Sequence, residues 1–112
     1  MSSKFQSTFN RGFKITFENG WTISVQFGPG YYCEHRDDSA CRPEGVYSSK
    51  DAEIAIITDN YRIWLDLTTL SPSTDDSTDI KGYVTPDELP RYILLTSMLP
   101  PANATDSNAR GN

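Results

Sequence analysis

The sequence predicts a small α+β fold: an antiparallel sheet of two hairpins (ββ–loop–ββ) covered on one face by a C-terminal helix. Three observations predict it. Residues 13–27 alternate apolar and polar around an Asn-Gly pair, and residues 52–67 do the same around Asp59-Asn60. Thr85-Pro86-Asp87-Glu88 then opens a stretch with helical spacing. Two hairpins with one apolar face each suit a single sheet covered on one side.

The first hairpin joins Gly12–Glu18 to Trp21–Phe27. Asn19-Gly20 is the usual mark of a two-residue type I′ turn. That turn would set Phe17 opposite Thr22 and Ile15 opposite Ser24, mixing apolar and polar residues on both faces. A three-residue loop, Glu18-Asn19-Gly20, instead pairs Phe17 with Trp21, Ile15 with Ile23 and Phe13 with Val25. Gly20 then takes the left-handed position of a G1 bulge. The opposite face, Lys14, Thr16, Thr22, Ser24 and Gln26, is polar throughout and is expected to face solvent or a partner. In the second hairpin the same test selects a two-residue turn at Asp59-Asn60, pairing Ile56 with Ile63 and Ile54 with Leu65.

The helix is expected to cover the apolar face with Leu89, Tyr92, Ile93, Thr96 and Leu99. Thr85 and Glu88 form a capping box with Pro86 at the first helical position. Pro90 would forfeit an early bond, so the start lies at Pro86 or near Pro90. Pro100-Pro101 ends the helix.

At 112 residues there is room for one domain, expected over 1–99, with a flexible loop at about 71–80 and a disordered tail over 100–112. Without loop and tail, roughly 85 to 90 residues remain, near the size where one core supplies only a few kcal/mol. A homo-oligomer is expected on that ground.

The net charge is −5, from 10 basic and 15 acidic residues. No basic stripe is present, so nucleic acid is not an expected partner. No apolar run approaches the ~18 residues of a membrane span, and the first residues lack the apolar region of a secretory signal. A cytoplasmic protein without membrane association is expected.

The stretch between the hairpins, 28–45, holds both cysteines, the single histidine and Arg36 and Arg42. Long loops of mixed polarity are often functional. Cys33, His35 and Cys41 have ligand chemistry for zinc, but Cys-x-His-x5-Cys matches no standard site and a fourth ligand would have to come from elsewhere. A Cys33–Cys41 disulfide would stabilise by about 2 to 3 kcal/mol, yet a reducing cytoplasm disfavours it. Free, partly buried thiols are expected, with no metal and no other cofactor. A Cys33–His35 pair lacks a nucleophile turn and an orienting third residue, so no catalytic residue and no enzyme activity are expected. Gly28-Pro29-Gly30 reads as a tight turn or as a backbone cradle for phosphate.

The chain carries two Trp, six Tyr and five Phe, more than so small a core takes in. Trp64 faces away from Ile63 and Leu65, between Arg62 and Asp66, and Tyr31, Tyr32 and Tyr47 border the long loop. Exposed aromatic and Arg side chains serve ligand stacking and interface contacts. The candidate ligand-binding set is therefore Tyr31, Tyr32, Arg36, Arg42, Tyr47, Arg62 and Trp64; a second buried layer under the loop is the structural alternative.

The segment Phe13-Lys-Ile-Thr-Phe-Glu-Asn-Gly-Trp-Thr-Ile-Ser-Val-Gln-Phe-Gly-Pro-Gly-Tyr-Tyr-Cys33, with Asp51-Ala-Glu-Ile-Ala55 and Gly82-Tyr-Val-Thr-Pro-Asp87, resembles small accessory proteins encoded by tailed bacteriophages. The resemblance implies a setting rather than a chemistry: a bacterial host cytoplasm and a role against host defence. The expectation that follows is a non-enzymatic binding protein that sequesters a small nucleotide signal. The alternatives are a protein–protein inhibitor or adaptor acting on a host protein, and a metal- or thiol-dependent small enzyme.

Overall fold

A computed structural model describes residues 3–9, 11–38, 47–58, 60–69 and 79–102, and the backbone of 71–73. The fold is α+β, an antiparallel sheet with one C-terminal helix packed against it. Among the described residues the strands are β1 (Lys4–Ser7), β2 (Gly12–Thr16), β3 (Trp21–Gln26), β4 (Ala52–Thr58), β5 (Trp64–Asp66), β6 (Ser71–Ser73) and β7 (Lys81–Val84). The order is β1-β2-β3-β4-β5-β6, and β7 pairs with the start of β4. The helix, α1, spans Leu89–Met98. It is too short to cross a membrane, and no described helix is long and apolar enough to do so.

The first hairpin has the register that its apolar pattern requires. Phe13 lies opposite Val25, Ile15 opposite Ile23 and Thr16 opposite Thr22. Phe17 N–H donates to Trp21 O at 2.9 Å, and Gly20 has φ +88°, the left-handed position of the three-residue loop. β4 continues the alternation, with Ile56 opposite Ile23 and Ile54 opposite Val25. Trp21, Ile23, Val25, Ile54, Ile56, Ile63, Leu65 and Val84 form the core, and Leu89, Tyr92, Ile93, Leu95 and Leu99 pack on it from the helix side. Thr96 is fully buried there, its hydroxyl bonded back to Tyr92 O.

The second hairpin differs from its expected register. Ile57, not Ile56, marks the pairing: it lies opposite Trp64, and Thr58 N–H donates to Ile63 O at 2.9 Å. The connection therefore runs over 59–62 rather than the two residues Asp59-Asn60, and Asp59 itself lies outside the described residues. The expected and observed registers differ by two positions. Such a shift leaves every side chain on its own face, so the apolar pattern does not separate them. Local polar chemistry decides. Thr58 Oγ1 accepts the N–H groups of Arg62 and Ile63 and donates to Asn60 Oδ1, while Tyr61 takes φ +61°.

Three strands were not expected. β1 pairs with β2, with Phe5 opposite Ile15. β6, within the stretch read as a flexible loop, pairs with β5; residues 74–78 lie outside the described residues. β7 is wedged between β4 and the 31–33 segment, where Tyr83 N–H donates to Tyr32 O. A Cβ on Gly82 would lie 2.5 Å from Tyr32 Cβ, so glycine is required by that approach.

The capping box forms as expected, with Thr85 N–H donating to Glu88 Oε1 and Glu88 N–H to Thr85 Oγ1. Regular helix begins beyond it, at Leu89. The chain after the helix returns to the hairpin tip: Trp21 Nε1 donates to Pro100 O and Ala102 N–H to Asn19 O. Pro100–Ala102, read as the start of the tail, are thus docked, and 103–112 lie outside the described residues.

The second face of the sheet is also buried. All six residues of β3 and six of seven in β4 are buried, including Thr22, Ser24, Gln26, Ala55 and Ile57. Of the solvent or partner expected to meet this polar side, solvent is largely excluded at Thr16, Thr22, Ser24 and Gln26 by the chain's own side chains. Small residues occupy the centre of that face, and longer side chains on neighbouring strands and loops reach over them.

Candidate functional site

Long side chains around a floor of short ones make a hollow, and it is on this second face. The floor is Ser24 and Gln26 on β3 with Ala55 and Ile57 on β4; the rim is Lys14, Tyr61, Trp64, Tyr31 and Ile80, with Thr8 and Glu53 at one end. Its volume is about 240 Å³. A smaller hollow of about 130 Å³ adjoins it, lined by Lys4, Gln6, Lys14, Thr22, Ile57 and Tyr61. The two share Lys14, Ile57 and Tyr61. The register explains the grouping: Lys4 lies opposite Thr16, Gln6 opposite Lys14, and Lys14 opposite Ser24, so these side chains emerge on one face.

The aromatic rim is held in place by its own polar atoms. Trp64 Nε1 donates to Tyr61 O at 3.1 Å, and the two rings lie 6.3 Å apart at 49°. Lys14 Nζ donates to the Tyr61 hydroxyl and sits 4.8 Å from its ring centroid, a cation–π contact. Both rings are thereby held in orientation by contacts within the chain.

The floor carries unmet hydrogen-bonding capacity. Gln26 is 6% exposed, and its Nε2 donates to Ser24 Oγ and, at 3.5 Å, to Phe13 O. A carbonyl can only accept, so that contact fixes the amide orientation and leaves Gln26 Oε1 facing no donor among the described residues. Thr8 Oγ1 is likewise buried without a partner there. Nearby, burial pushes the Glu53 carboxyl above its ordinary range, outweighing the Tyr32 N–H bond and the Arg36 charge, which pull it down.

The expected site residues divide into separate groups. Tyr31 and Trp64 line the hollow. Tyr32 is exposed and carries the Arg36 guanidinium over its ring at 4.8 Å, beside Glu53. Tyr47 stacks on Phe27, with centroids 6.1 Å apart, and against His35 at 4.8 Å. Arg62 is exposed on the loop that carries Tyr61, its N–H bound to Asn60 Oδ1 and Thr58 Oγ1. Arg42 and Cys41 lie outside the described residues. Tyr61 and Glu53 were not expected, and Lys14 and Gln26 were expected on a face open to solvent or a partner but not in the ligand-binding set. Once β4 is docked on β3, Ala55 and Ile57 fall on the polar face of the hairpin, an apolar pair that marks this face as covered.

Loop 28–38 is closed by its own bonds. Gly30 N–H donates to Arg36 O and Tyr31 N–H to Gly28 O, so Gly28-Pro29-Gly30 forms the tight turn and these donors are used within it. Cys33 is a buried free thiol whose Sγ approaches Gly28 O at 3.6 Å. His35 Nδ1 meets Asp38 Oδ2 at 2.8 Å and Nε2 meets Ser48 O at 2.6 Å. Both ring nitrogens then act as donors, which favours imidazolium; the Ser48 carbonyl chiefly, with Asp38 and Glu34, raises the His35 pKa against some desolvation. No three potential metal ligands cluster among the described residues. Set against family models, curated proteins and solved structures, the chain matches none.

Proposed function

We propose that the chain is a non-enzymatic binding protein that captures a small nucleotide in the hollow on the second face of the sheet. One observation carries the reading: an aromatic-rimmed apolar hollow and a two-lysine polar hollow adjoin and share Lys14, Ile57 and Tyr61. A nucleotide divides in the same way, into a planar base and an anionic phosphate. Trp64 and Tyr61 offer ring faces for stacking. Lys4 and Lys14 supply positive charge for the phosphate. The Glu53 carboxylate is an acceptor at the inner end, which favours a base presenting N–H donors. About 240 Å³ is slightly below the ~300 Å³ lower bound of ordinary ligand pockets, so the base fills it and the phosphate takes the adjoining hollow.

The imidazole of His35 is held by Ser48 and Asp38, and the Cys33 thiol is buried against Gly28; neither lines the hollow. Sequestering a host signal, the role implied by the likeness to phage accessory proteins, needs tight binding and no reaction.

Thermal-shift and calorimetric titrations with guanosine and adenosine nucleotides, linear and cyclic, test the proposal, with inorganic phosphate as control. A ligand held only by the folded state raises the melting temperature. Trp64→Ala is expected to weaken binding roughly 5- to 150-fold, the ~1–3 kcal/mol of one stacked base. Lys14→Ala is expected to weaken it and to flatten its salt dependence. No shift with any nucleotide at millimolar concentration rejects the reading.

A further inference from the structure

We infer that the open edge of β1 pairs with β1 of a second copy of this chain, about a twofold axis through Phe5, and that this pairing extends the lysine hollow across the axis. β1 ends the strand order, and the strand it pairs with in the sheet is β2. All four of its residues are exposed, and Phe5 is 83% exposed, an apolar side chain on an open edge. Natural edges are usually blunted by charge, proline or a bulge; an exposed apolar edge is a template for another strand.

The ladder shows which backbone groups that edge offers. Thr8 N–H donates to Gly12 O, and Phe17 N–H to Trp21 O. Odd residues of β2 therefore bond towards β3 and even ones towards β1, and the opposed residues Lys4 and Gln6 bond inward. The N–H and C=O groups of Phe5 and Ser7 point out. A twofold axis normal to the sheet keeps each face on its own side, so opposed residues must share parity. With Phe5 opposite its own mate, the two Phe5 residues exchange both hydrogen bonds, and Ser7 pairs with Ser3 of the other copy. The two phenyl rings meet on the helix side. On the groove side Lys4 faces Gln6 of the other copy, so the two Lys4 ammonium groups lie diagonally rather than head-on. The strand is thus complementary to itself, and this argues for a second copy as the occupant rather than an unrelated strand.

The dimer bears on the site. The polar hollow is bounded at the edge by Lys4 and Gln6; the second copy brings its own Lys4 and Gln6 against them. One trough then runs across the axis with both pairs of lysines on its walls, which suits a ligand bearing two phosphates better than a mononucleotide. This last step rests on the nucleotide reading above; the strand pairing does not.

Sedimentation equilibrium of the full chain at near-millimolar concentration, with disulfide trapping, tests the pairing. The parent chain is expected to dimerise. Ser7→Pro removes an outward N–H and spares the β2 ladder, and Phe5→Glu charges the exposed contact; both are expected to be monomeric with parent-like circular dichroism. In the dimer the two Phe5 Cα atoms lie roughly 5.5 Å apart, so Phe5→Cys is expected to cross-link on oxidation well above the parent chain. The two Ser7 positions lie ~13 Å apart, and Ser7→Cys is expected not to. A monomeric parent, a dimer indifferent to both edge variants, or equal trapping at both positions overturns the pairing. A dimer that binds no nucleotide keeps the pairing and rejects the nucleotide reading. Equal affinity of the parent and Ser7→Pro for a two-phosphate ligand overturns the shared trough.

Discussion

Gln26 illustrates how a single side chain leaves an unmet acceptor within a sheet face. Its amide nitrogen is spent on Ser24 and Phe13, and its oxygen is buried with no donor among the described residues. A buried acceptor left unmet costs about 1–3 kcal/mol. His35 acts differently, as a clasp between 34–38 and 47–50. Its folded pKa is raised above 6.5. The stabilisation it gives is therefore complete below pH 6.5 and is lost as pH rises through the raised value. Moving from about pH 6 to pH 8 is expected to lower amide protection in 34–38, measured relative to the intrinsic hydroxide-catalysed rate, with little change in protection at the hairpin. In His35→Gln that pH dependence of protection is expected to disappear. Protection measured by NMR across the range checks both, and parent protection in 34–38 that does not vary with pH contradicts the clasp.

At the scale of elements, the hairpin tip and the helix end form one unit. Asn19 Nδ2 donates to Thr96 O and Leu99 O, its Oδ1 accepts Trp21 N–H, and its carbonyl accepts Ala102 N–H. Asn19→Ala removes three side-chain bonds at ~1 kcal/mol each and takes the Asn19 amide from Leu99 O, while Thr96 O keeps the Leu99 N–H, so a loss of about 2–4 kcal/mol is expected. Urea denaturation measures it; a loss under about 0.5 kcal/mol, the level of an ordinary surface change, contradicts the tie. Asn19 was legible in the sequence as a turn residue, because Asn-Gly in an alternating pattern has a local meaning. Its grip on the helix was not, since nothing local links position 19 to position 99. The same division holds elsewhere. The first hairpin was readable because a one-residue slip would turn its apolar face outward; the second was misjudged because a two-residue slip costs that pattern nothing. β1, Lys-Phe-Gln-Ser, is too short and too exposed to show a period, and β7 is set by the backbone of 31–33 at Gly82.

Across the whole molecule, β3 and β4 are buried on both faces, with different chemistry on each. The helix side is apolar and filled; the opposite side is small and polar at its centre with long side chains around it, and this makes a hollow. The sequence showed Trp64 on that side and Tyr31 near it. It did not show Lys14, Tyr61, Gln26 and Glu53 beside them, because their meeting depends on docking β4 against β3 and on the true path of the 59–62 turn. Arg36 and Tyr47, expected at the same site, belong instead to contacts within and against the 28–38 loop. The proposed function sets a nucleotide base against Trp64 with the phosphate at Lys14 and Lys4. A proton–nitrogen NMR titration of the full chain with guanosine monophosphate tests it most directly. Saturable shifts are expected at the Trp64 indole N–H, the Gln26 side-chain amide and the backbone of Ser24 and Ile57, with the Trp21 indole unmoved. Shifts confined to other residues, or none at millimolar ligand, would contradict it.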